Sequence, residues 1–234
     1  MGTASFRRLL LCVMLMAFVS ATLGLAQAKS EEVSLTVVEL VLEEGRGPTR
    51  VNAIPPTDDS ASNPHYGLLG FHWYTTANYW VNPSNKYGLS ASAVVTAITT
   101  SASTWDQETG FQVFSYRGTT SRSAGRYDGY NVVAWGPYQA NVIAVTYIWY
   151  SGERIVETDT RMNAWFGWSL SSAAGKMDVQ DIMTHELGHW CGLADLYNDV
   201  DYWLTMYGYA NYGETYKRTL GLGDINGLEA VYGS

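Results

Sequence analysis

His185 and His189 stand four residues apart, with Glu186 directly after the first, giving the string H-E-x-x-H. On a helix, positions i and i+4 share one face, about 6 Å apart along the axis. Two imidazoles so placed can reach one metal ion. Zinc suits them, because it accepts imidazole nitrogen and tolerates a tetrahedral site with one position left open. Glu186 is placed to act as general base on a metal-bound water rather than as a ligand. Three residues after His189 comes Gly192, where a helix can stop in a left-handed turn that glycine enters at low cost. Three further on is Asp195, whose carboxylate is a good third zinc ligand. The chain has four histidines, and two of them fall in this pattern. That concentration favours ligation over a buried helix carrying two merely hydrogen-bonded histidines.

H-E-x-x-H alone arises by chance in many helices; the string H-E-x-x-H-x-x-G-x-x-D is far more specific. It resembles the signature of the metzincin zinc endopeptidases, which usually ends in histidine. Asp195 takes that place here, as in the small secreted metzincins called snapalysins. Downstream, Met206 in Leu204-Thr205-Met206-Tyr207-Gly208 resembles the methionine turn of the family, and its Met-Tyr pair resembles the matrixins.

The resemblance covers about residues 66–233. It implies an α+β fold of metzincin type: a twisted mixed five-stranded sheet with three helices, and an active-site cleft between a larger N-terminal and a smaller C-terminal subdomain. It implies a zinc endopeptidase acting on protein or peptide, with catalytic Glu186, metal ligands His185, His189 and Asp195, and one catalytic Zn2+. Calcium (Ca2+) is implied by resemblance only, with no positions assigned. Met206 is expected to pack beneath the metal rather than bind it. Some metzincins carry a tyrosine two residues after that methionine. Gly208 stands there, so no catalytic tyrosine is assigned.

Elements must hold these residues in place. The site helix is expected to start near Asp178, a good N-cap, with Asp181 in its first turn. Val179, Ile182, Met183, Leu187 and Trp190 give it an apolar face. Ser90 can cap an earlier helix running to about Trp105, with Val94, Ile98, Ala102 and Trp105 on one face directed at a sheet. Strands are expected over residues 71–82, 111–116, 131–135, 143–150 and 154–163, from their β-branched and aromatic content. The turn Ser151-Gly152-Glu153 makes the last two an antiparallel hairpin. Residues 118–129, rich in Gly and Ser, read as a solvated loop. His72 reads as a packed histidine rather than a ligand. A final short helix ends near Tyr232. This order resembles a matrixin catalytic domain, in which an extended substrate lies beside the fourth strand, here about 143–150.

Residues 1–28 read as a secretory signal: Arg7 and Arg8, an apolar run from Leu9 to Leu25, and an A-x-A site at Ala26-Gln27-Ala28. The cut is placed after Ala28, giving a secreted protein. An uncleaved leader would instead anchor the chain to a membrane. Residues 29–64 read as a propeptide or linker: Glu31 to Glu44 alternates acidic and aliphatic residues as a strand or short helix, and a Gly/Pro-rich stretch follows. It has no cysteine to cap a metal; Asp58 or Asp59 is the carboxylate available for that role. Residues 65–234 form the expected catalytic domain.

With 9 Trp and 17 Tyr, the composition is that of a core-forming domain. Net charge is −8; the leader holds two of the 14 basic residues and none of the 22 acidic ones, so the remainder carries 12 against 22, or −10. Nucleic acid is thereby excluded as a partner class, since phosphate binding needs clustered Lys and Arg. Oligomeric state is not encoded in any pattern here. Cys191, the one cysteine outside the leader, reads as a small buried apolar residue. The alternative function is a non-catalytic extracellular zinc-containing binding module. Glu186 argues against it, because a structural site closes its fourth position and has no need of a base.

Overall fold

The structure is a computed structural model that describes residues 35–45 and 63–234. The expected leader and cleavage site, and Asp58 and Asp59, lie outside the described residues. Among the described residues, no helix is long and apolar enough to cross a membrane.

The chain is α+β. Strands β1 (Thr36–Glu44), β2 (Ala77–Asn82), β3 (Phe114–Thr119), β4 (Asn131–Gly136), β5 (Val142–Ser151), β6 (Arg154–Asn163) and β9 (Tyr209–Ala210) form one mixed sheet, in the order β3-β2-β4-β6-β5-β1-β9. The short β7 (Trp168–Ser169) and β8 (Met177–Asp178) pair separately. Among the described residues there are three α-helices: α1 (Ala91–Asp106), α2 (Val179–Trp190) and α3 (Leu222–Tyr232).

The main sheet has seven strands where five were expected. The two additional strands are β1 and β9. β1 comes from the segment read as propeptide or linker. Its alternating acidic and aliphatic residues are the period-two pattern of a strand with one face on a core: Val38, Leu40 and Leu42 face inward, while Glu39 and Glu43 bond Tyr138 and Asn141. β9 has only two residues, too short to leave a period.

The hairpin forms as expected. β5 and β6 pair antiparallel, with Gly152 at φ +58° in the turn. β2, β4 and β6 run parallel. β2 begins at Ala77 rather than residue 71; before it, His72 makes only an isolated bridge to Arg154 and stacks on Tyr74.

The helix α1 is capped by Ser90, whose Oγ accepts from Ala93 N, and buries Val94, Ile98, Ala102 and Trp105. This face meets α2 as well as the sheet: Trp105 Nε1 donates to Thr184 O at 2.8 Å, and Ser101 Oγ to Gln180 O at 3.0 Å. The site helix is therefore sandwiched. Every residue of α2 but Gln180 is buried, a helix at the centre of the core rather than one with a single apolar face.

The loop of residues 120–130 is more than a solvated connection. Asp159 accepts the amides of Gly125, Arg126 and Val132 at 2.6–3.1 Å, and Glu157 accepts those of Asp128 and Gly129. Two buried β6 carboxylates, on the sheet face opposite Thr160, thus fix the loop against the sheet.

Candidate metal centre

The site is built from the C-terminal half of α2 and the turn that follows it. Asp178 caps the helix, its Oδ1 accepting from Asp181 N at 3.1 Å. At the far end, Gly192 takes φ +92°. Its N–H donates to His189 O at 3.0 Å and the Leu193 N–H to Gly188 O at 3.1 Å, the paired bonds of a Schellman turn. A Cβ at Gly192 would meet Phe71 O at 2.7 Å, so glycine is required both for the φ and for the space. This turn reverses the chain and brings Asp195 back over the helix.

The outcome is a convergence of three side chains. Asp195 Oδ1 lies 3.2 Å from His185 Nε2 and 3.5 Å from His189 Nε2. One ligating atom from each of the three falls within 4.8 Å of the others. The imidazoles stand nearly perpendicular, at 86°. His185 Nδ1 is 2.7 Å from Thr205 O, and His189 Nδ1 is 2.9 Å from Leu193 O. A carbonyl only accepts, so each Nδ1 carries the proton and each Nε2 presents a lone pair to the shared point. Both Nε2 atoms and Asp195 Oδ1 are buried without a hydrogen-bond partner. Leaving polar atoms buried and unpaired is costly, and three such atoms aimed at one point are the arrangement of a metal site. The residues present therefore fit a divalent ion.

Charge agrees with geometry. Burial pushes His185 down to about 4, against the opposing pull of Asp195, so the ring is neutral as a ligand must be. Burial pushes Asp195 up, but the positive charge that His189 and His185 would carry when protonated and a bond from Tyr197 together hold it below the usual carboxylate range.

Glu186 is tied to β5 through one carboxylate oxygen. Its Oε2 accepts from Thr146 Oγ1 at 2.6 Å, while Oε1 has no partner. Burial, reinforced by Asp195 and opposed by the Thr146 bond, pushes its carboxyl up to about 8.

Beneath the ligands, Met206 is buried. A Cβ on Gly188 would collide with its sulfur, so the smallest residue of the helix lets the methionine approach. The turn carrying Met206 is clasped twice. Asp224 accepts the amides of Thr205 and Met206 at 2.8 and 3.0 Å, and Lys217 Nζ donates to Leu204 O and Tyr207 O at 3.4 and 2.9 Å.

The three expected ligands, His185, His189 and Asp195, are thus brought together, with Glu186 next to the first of them on the helix. The other two histidines are elsewhere: His65 contacts Asp201, and His72 stacks on Tyr74. Cys191 is buried, and burial pushes its thiol well up, so it stays a neutral packing residue. Sequence reading missed Thr146, Asp224 and Tyr197. Thr146 had a signal, being the one aliphatic hydroxyl in the run from Ile143 to Trp149. Tyr197, two residues after Asp195, is pushed up by burial and by the Asp195 carboxylate. Its ring fills the space that a side chain at position 208 would need.

The chain matches no protein-family profile and no curated protein with significant similarity.

Proposed function

We propose that this chain is a zinc-dependent endopeptidase of metzincin type, secreted after loss of residues 1–28, with protein or peptide as substrate. The reading is supported above all by three buried, unpartnered donor atoms converging at one point, next in sequence to a glutamate with one free oxygen. Two imidazoles and a carboxylate suit zinc, and three protein ligands leave one position open. A zinc ion held there would supply Lewis acidity and lower the pKa of a bound water from about 15.7 to about 7.

The remaining work falls to the chain. Thr146 holds Glu186 Oε2 and leaves Oε1 free to take a proton from water and return it to the leaving amine. A carboxyl pushed up toward neutrality can do both. Thr205 O and Leu193 O keep both Nδ1 protons in place, so the imidazoles stay oriented.

The test is cleavage of an unfolded protein by the zinc-loaded full chain, intact and after a cut between residues 45 and 63. The expected result is proteolysis that a chelator removes and zinc restores, and that falls at least about 100-fold in Glu186→Gln with one equivalent of zinc still bound. Equal zinc binding with cleavage by neither protein, cut or intact, would overturn the protease reading in favour of a zinc-containing binding module.

A further inference from the structure

The strand β1 lies between β5 and β9 in the main sheet. It pairs antiparallel with β5 from Thr36↔Tyr150 to Glu43↔Val142, and parallel with β9 at Glu43↔Tyr209 and Glu44↔Ala210. Its two neighbours are the two walls of the metal site. The β5 wall reaches the site through Thr146, which bonds Glu186. The other wall is the segment after Met206, tied to the Asp195 loop by Gly208 N to Leu196 O at 2.9 Å and by the Leu196↔Tyr207 bridge. β1 joins them: Glu43 N donates to Gly208 O and Gly45 N to Ala210 O.

Its inward side chains lie on the face of the sheet from which Thr146 reaches Glu186. Leu40 stands opposite Thr146, and Leu42 opposite Ala144; Leu42 is fully buried. In this arrangement His185, His189 and Glu186 have no exposed surface. A site that hydrolyses a peptide must admit one. Without β1, the edge of β5 would present unpaired backbone groups, which bind extended peptides by strand addition. Only residues 46–62 link β1 to the rest of the described domain.

We propose that β1 is an intramolecular occupant of the peptide groove, closing the site until residues 36–44 are displaced. The regulatory part rests on the protease reading above. The occupant also indicates the ligand: an extended segment, antiparallel to β5, with aliphatic side chains at alternate positions as at Val38, Leu40 and Leu42.

The test uses the full chain with a recognition sequence for a site-specific protease placed within residues 50–56, so that cut and uncut forms share one fold. Two readings are taken: the rate at which a chromophoric chelator removes zinc, and cleavage of an unfolded protein. Cutting and washing away the strand should speed zinc removal at least tenfold and switch on cleavage, and a synthetic peptide of residues 35–45 should reverse both. Should the strand stay bound after the cut, Leu40→Asp with Leu42→Asp in the same chain weakens its docking, and the same readings decide. Unchanged zinc removal and equal cleavage with and without the strand would overturn the proposal while leaving the protease reading intact. Faster zinc removal without cleavage in any form would keep the cover and overturn the protease.

Discussion

Thr146 Oγ1 donates to Glu186 Oε2 at 2.6 Å, at the end of a run of hydrogen bonds that begins on the Trp190 indole. Trp190 Nε1 can only donate, and it donates to Thr160 Oγ1 at 2.9 Å. Thr160 lies opposite Thr146 across β5 and β6, with the hydroxyls 2.7 Å apart. When Glu186 is ionised, as a general base must be, it can only accept, and the chain then runs one way, from the indole through both hydroxyls to the carboxylate. Thr146→Val keeps the shape and removes the donor. It should lower kcat for peptide cleavage about 10- to 100-fold with zinc affinity unchanged, whereas Thr146→Ser should retain most activity. Full activity in the valine variant would remove Thr146 from the mechanism.

Asp224 works through a longer lever. It is fully buried and accepts three amides, those of Thr205, Met206 and Gly221. Thr205 in turn offers its carbonyl to His185 Nδ1. Asp224→Asn turns an acceptor-only group into one with two donors facing backbone N–H groups. The expected cost is about 2–4 kcal/mol in stability, together with weaker zinc binding as His185 loses its fixed orientation. Denaturant midpoints and zinc competition titrations measure the two effects separately, and unchanged zinc affinity would break the proposed link.

How far these relationships could be read in advance depends on distance along the chain. The site helix and its turn were legible, because cap, ligands and reversing glycine all lie between Asp178 and Asp195, and their spacing reflects helix geometry. The hairpin of β5 and β6 was legible for the same reason. Asp224 was not, since nothing at position 224 announces a partner at 205; that pairing exists only once α3 docks. β1 showed its alternation but not its destination. Its neighbours in the sheet are more than 90 residues away, and the Gly/Pro-rich stretch after it suggested a separate segment. The fixed loop of residues 120–130 was missed because its bonds come from β6 carboxylates that sequence places in a strand.

Gly188 offers a test of the packing between the site helix and Met206. Its missing side chain is replaced by the Met206 sulfur and the Trp105 ring, which a Cβ would meet at less than van der Waals distance. Alanine ordinarily favours a helix over glycine by about 1 kcal/mol. Here overpacking should outweigh that gain, so Gly188→Ala is expected to destabilise by about 1–3 kcal/mol. Met206→Ala in the same chain should recover part of the loss, because it removes the colliding atoms. Thermal unfolding of the single and double variants reads the coupling, and a stabilised single variant would refute the close packing.

Asp159 sets a pH dependence with a definite sign. Burial raises its carboxyl from 3.8 to about 7, although three backbone amides pull the other way and Glu157 adds to the rise. Between those values the folded chain holds a proton that the unfolded chain has released, so stability falls as pH increases. The contribution is fully present below about pH 4 and lost as pH passes 7. Other buried carboxylates shift in the same direction, so the wild-type curve alone does not isolate this residue. Asp159→Asn does, since it cannot ionise. The drop in stability from pH 5 to pH 8, measured by denaturation of zinc-saturated protein, should be smaller in the variant than in the wild type. An equal drop in both would show that Asp159 titrates normally despite its burial.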